Sequence, residues 1–80
     1  MAIGAQSPSG DEFFRQGVSL AKGGHWEKAL AAYKESLRLD PNNAQTYMNL
    51  GFVYYELGYD FEAQQAFERA AKLQARPCVR

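Results

Sequence analysis

Moving the chain 34 positions along itself lays Gly17 on Gly51, Gly24 on Gly58, Ala29 on Ala63, Ala32 on Ala66 and Leu39 on Leu73. The same shift pairs Phe13 with Tyr47 and Tyr33 with Phe67. All but the Leu39–Leu73 pair fall on glycine, small or aromatic residues, the types that packing between elements constrains most. A period of this length restricts a chain to stacked supersecondary units, each burying its apolar face on the next. In 80 residues there is room for two units, and not for two independent domains.

Each unit divides into two helical patterns around a glycine, giving expected helices over Asp11–Lys22, Trp26–Leu39, Ala44–Leu57 and Asp60–Gln74. Ser9 with Glu12 three residues later has the form of a capping box, and Asp11 stands four residues before Arg15 as a helix ion pair. Gly23-Gly24 breaks the first helix. Pro41 disfavours helical geometry at Asp40, and Asn43 can cap the third helix. Gly58 followed by Asp60 repeats the stop and the cap. Turns this short force consecutive helices to run antiparallel, so the chain is expected to be all-α with no strand. Gln6 to Gly10 is small, polar and broken by Pro8, so residues 1–9 suit a flexible leader. The expected organisation is a leader at 1–9, repeats at 10–43 and 44–77, and a tail at 78–80.

The second unit carries Tyr47, Leu50, Gly51, Tyr54, Ala63, Phe67 and Ala70, and the first carries Phe13, Gly17, Leu20, Ala29, Tyr33 and Pro41. With this spacing the chain resembles two tandem tetratricopeptide repeats (TPRs), from Gly10 to Pro77. Gln16 departs from the family's Leu, Ser36 from its Ala and Ala75 from its closing Pro. The resemblance implies two antiparallel helix-turn-helix repeats stacked as a short right-handed α-solenoid. On packing grounds Gly17 and Gly51 admit the paired helix, Ala29 and Ala63 are the expected small counterparts, and Leu20, Tyr33, Leu50, Tyr54 and Phe67 fill the seam.

The resemblance also implies that the first helix of each repeat lines a concave groove. The groove positions are Phe14, Val18, Ala21 and Lys22, then Gln45, Met48, Asn49, Phe52, Tyr55 and Glu56. The segment from Tyr47 to Tyr55 is apolar nearly all round, and in a four-helix chain one face of it would stay open, as partner sites do. Family members that hold acidic chaperone tails place Lys and Asn where Phe14 and Val18 stand here, so that ligand is not expected. An apolar partner segment is.

Other classes find little support. Nine basic and nine acidic side chains cancel, without the positive stripe that nucleic acid requires. No run approaches the roughly 20 apolar residues of a membrane span, and the default location is cytoplasmic. Cys78 is the single cysteine, and His25 the single histidine, sits beside Trp26 at a helix start with no nucleophile at recognisable spacing. Neither an enzyme, a metal nor a cofactor is expected. The function expected is protein or peptide binding. The alternative is a scaffold unit that stacks on copies of itself or on further repeats. The more polar last helix, with Gln64, Gln65 and Ala71 where the second has Leu30, Ala31 and Leu37, predicts only weak self-association.

Overall fold

The computed structural model describes residues 10–74, and the regular elements over that span are four helices joined by short turns. Helix α1 runs Gly10–Lys22, α2 Trp26–Leu39, α3 Ala44–Glu56 and α4 Asp60–Gln74. Both repeats close their first helix in the same way. Gly24 and Gly58 have φ of 80° and 87°, in the left-handed region that glycine enters without a Cβ penalty. There the His25 amide donates to the Leu20 carbonyl at 2.9 Å, and the Tyr59 amide to that of Tyr54 at 2.8 Å. These reach-back bonds satisfy carbonyls that the helix end would otherwise leave bare.

The third helix starts as expected, with Asn43 Oδ1 accepting from the Thr46 amide at 3.2 Å. Three boundary expectations change. Gly10 already lies in α1, and α3 stops at Glu56 with Leu57 as its C-cap. Asp60 is not a cap but the first residue of α4, where its carboxylate faces the positive end of the helix dipole. Ser9, the leader and the tail with Cys78 lie outside the described residues. Asp11 and Arg15 do meet, at 3.9 Å, though exposed pairs of this kind add little stability.

Helix α1 packs on α2 and α3 on α4, and α2 on α3 joins the two hairpins. The stack is a short TPR-type α-solenoid whose core is Ala29, Tyr33, Leu50, Val53 and Ala66. Each signature glycine faces a ring. A Cβ added at Gly17 would lie 2.5 Å from Tyr33 Cε1, and one at Gly51 2.6 Å from Phe67 Cε1. The nearest counterparts are therefore Tyr33 and Phe67 rather than the expected Ala29 and Ala63, although both alanines are buried. Ala70 is buried too, Leu20, Tyr47, Tyr54 and Phe67 keep part of their surface in solvent, and Pro41 is exposed in its turn. Ser36 is fully buried, and its hydroxyl donates to the Gly10 carbonyl at 2.8 Å, so the departure from alanine ties α2 to the start of α1.

Candidate functional site

Side by side on one face, α1 and α3 leave a shallow depression of about 260 Å³ over α2. Its floor is Tyr33 and Val53, each 1% exposed. Val18, Ala21 and Lys22 border it from α1, Asn49 and Phe52 from α3, and Trp26 from the start of α2. Phe52 is 56% exposed, a large apolar ring left in solvent at the rim. It is held edge-on to Phe67 at 5.4 Å between centroids, so its position is set by packing.

The polar chemistry of the floor is a single contact. Asn49 Nδ2 donates to the Tyr33 hydroxyl oxygen at 3.3 Å across the α2–α3 joint. Burial raises the Tyr33 pKa above its ordinary value, with the Asn49 contact pulling the other way, so the hydroxyl stays neutral. The depression is thus apolar at its base, with one amide and the Lys22 ammonium at the margin.

The structure gathers Val18, Ala21, Lys22, Asn49 and Phe52 and separates the rest of the expected groove. Phe14 is half-buried with its ring 5.9 Å from that of Tyr33, so part of its surface is spent in the seam. Met48 is half-buried and Gln45 and Glu56 are exposed, all three outside the lining. Tyr55, 63% exposed, borders a different hollow along α4. Trp26 and Tyr33 were not expected in the lining, because only leading helices were assigned to it, and Val53 was not expected although it lies on one. Trp26 could have been found, since it stands three and seven residues before Ala29 and Tyr33, on the same face of α2. Val53 was hidden by a helix whose apolar residues point in every direction.

Two further hollows flank α4. One of about 460 Å³ is lined by Tyr47, Leu50 and Tyr54 with Phe61 and Arg69, the Arg69 guanidinium lying 5.7 Å from the Tyr47 ring. The other, of about 480 Å³, is the one that Tyr55 borders. Among the described residues no three His, Cys, Asp or Glu side chains come together as a metal site, and no helix is long and apolar enough to cross a membrane.

Fold and face together define a helical-repeat protein that presents apolar side chains between its packed elements. The chain belongs to the tetratricopeptide repeat family: a TPR repeat model matches residues 17–58 and a tetratricopeptide repeat model residues 44–77. The repeat is a non-catalytic unit that mediates interactions between proteins. Protein O-mannosyl-transferase TMTC1 of Mus musculus is 36% identical over 61 residues, 76% of this chain and 6% of that protein. Photosystem I assembly protein Ycf3 of Synechococcus sp. (strain CC9311) is 27% identical over 73 residues, 88% of this chain and 42% of the relative. Outer envelope protein 64, chloroplastic, of Arabidopsis thaliana is 38% identical over 45 residues, 56% of this chain and 8% of the relative. The chain spans less than half the length of each of these relatives.

Proposed function

We propose that this chain is a binding module, not an enzyme, that takes an apolar segment of a partner protein on the shared face of α1 and α3. The observation that carries the reading is Phe52, an exposed ring held in place beside an apolar depression floored by Tyr33 and Val53. Phe14 and Met48 extend the contact area, while Lys22, Gln45 and Glu56 form a polar margin, the anatomy of a reversible interface; Tyr55, on the other hollow, is left out of this face. The Asn49 carbonyl oxygen accepts a backbone amide of the ligand while its amide nitrogen stays on Tyr33. Relatives fit the reading at the level of their names, since one assembles photosystem I. A cytoplasmic location belongs to the same proposal, and fractionation of cells carrying the tagged chain checks it.

The test compares two synthetic peptides by fluorescence anisotropy: one rich in Leu and Phe, and one acidic with a free C-terminal carboxylate. The apolar peptide is expected to bind and the acidic one not to. Phe52→Asp and Val18→Asp each weaken the apolar peptide by more than about tenfold, because a charge set against an apolar ligand loses its hydration. Circular dichroism confirms that both variants remain helical. Tighter binding of the acidic peptide, or an unchanged affinity in both folded variants, overturns the reading.

A further inference from the structure

The internal symmetry bears on the far end of the stack. Helix α3 packs on α2, where Tyr33 belongs to the buried core and Trp26, Leu30 and Leu37 are partly buried against that core. A shift of 34 positions carries those residues to Asp60, Gln64, Phe67 and Ala71 of α4. With Tyr55 and Glu68 these four line the hollow of about 480 Å³, to which no residue of the first repeat contributes. The hollow is the counterpart of the seat that α3 fills, and among the described residues no helix fills it. Its place in the repeat therefore suits a single helix laid along α4 as α3 lies along α2.

The chemistry of the two seats differs. Trp26 gives way to Asp60, Leu30 to Gln64 and Lys34 to Glu68, while Phe67, Ala71 and Tyr55 keep the centre apolar. The charges that line the hollow are carboxylates, and neither Asp60 nor Glu68 meets a cation among the described residues. We propose that this hollow docks one amphipathic helix of a partner protein, with an apolar stripe seated on Phe67 and Ala71 and Lys or Arg beside it, opposite Asp60 and Glu68. A second copy of this chain supplies a poor match. The α1 positions corresponding to buried Thr46, Leu50 and Val53 are Glu12, Gln16 and Ser19, all polar and exposed. The site shares no lining residue with the depression on the α1–α3 face and touches it only where the Phe67 ring meets that of Phe52, so the two proposals are tested separately.

Isotope-labelled full chain is titrated with a synthetic helical peptide of about fourteen residues, the length of a helix such as α3, bearing Leu at i, i+3 and i+7 spacing with Lys on the flanks. Controls carry Glu in place of Lys, or the same residues scrambled to remove the stripe. Amide shifts are expected at Tyr55, Gln64, Phe67 and Ala71. The Glu peptide and the scrambled peptide should bind at least about tenfold more weakly, and added salt should weaken the Lys peptide. Glu68→Lys lowers the affinity for the Lys peptide and raises that for the Glu peptide, Asp60→Asn shifts the preference the same way, and Val18→Asp leaves binding unchanged. Shifts centred on Val18 and Asn49, equal affinity for the two charged peptides, or a rise in mass without peptide accompanied by shifts at Phe67 overturn the proposal.

Discussion

Tyr33 and Phe67 stand at equivalent places 34 residues apart, and both press on a glycine of the leading helix. Yet Tyr33 is 1% exposed while Phe67 keeps part of its ring in solvent. The difference lies in the next layer. Helix α3 covers α2, whereas α4 has no neighbour beyond it among the described residues. The leading helices differ in the opposite sense: Leu50 and Val53 of α3 are buried against the first repeat, and their counterparts Gln16 and Ser19 of α1 face water. Equivalent positions in a repeat therefore have equivalent backbone surroundings and unequal burial, and residue polarity follows burial. Gln16, a departure from the family pattern, is explained in this way: nothing described packs on the outer face of α1, so an apolar side chain there would gain nothing from burial.

The largest expected effect tests that inequality directly. Val53→Asp puts a charge into the joint between repeats and should cost about 3 kcal/mol or more, enough to unfold a small domain. Ser19→Asp, at the equivalent site, should change stability by no more than about 0.5 kcal/mol. Thermal melts of the two variants showing similar losses would mean that α1 is as buried as α3.

A smaller contrast is expected at the glycines. Gly17→Ala and Gly51→Ala should each destabilise by about 1–3 kcal/mol, because an added methyl meets a ring at well under van der Waals distance. Gly17→Ala should be the worse of the two. Tyr33 is enclosed by the second repeat, while Phe67 can yield toward the hollow beside it. Urea denaturation measures both, and a greater loss at Gly51 would place the tighter joint in the second repeat.

The smallest effect concerns the hydroxyl that distinguishes the two rings. Tyr33→Phe removes the Asn49 contact and should cost about 0.5–1.5 kcal/mol at neutral pH, whereas Phe67→Tyr should be nearly neutral because water reaches that ring. The Tyr33 pKa is raised in the folded chain, so the folded state holds its proton more tightly than the unfolded one. That stabilisation is complete below the ordinary tyrosine value of about 10 and is lost as pH climbs through the higher folded value. Denaturation from pH 8 to 11 should show the parent losing stability more steeply than Tyr33→Phe, and parallel curves would mean that burial does not act on this hydroxyl.

Much of the architecture was legible because its causes are local. Glycine entering left-handed geometry at Gly24 and Gly58, an Asn43 side chain reaching the Thr46 amide, and apolar periodicity interrupted by short turns each involve residues within a few positions of one another. Spacing of 34 residues then carried the pairing of helices and the family. Which ring would meet which glycine was not legible, since it depends on the register of two helices across a turn. The binding face was read only in part for the same reason: half of its floor, Tyr33, comes from α2, and Asn49 finds Tyr33 only across the joint between repeats. A side chain's exposure depends on what lies one layer away. In the last helix, Gln64 and Ala71 in place of Leu30 and Leu37 signalled a more polar end, but only the packed helices showed that Phe67, Ala71 and Tyr55 stay together there beside two carboxylates. Local propensity settles the elements because few atoms are involved. Their unburied surfaces are settled by packing over the whole stack.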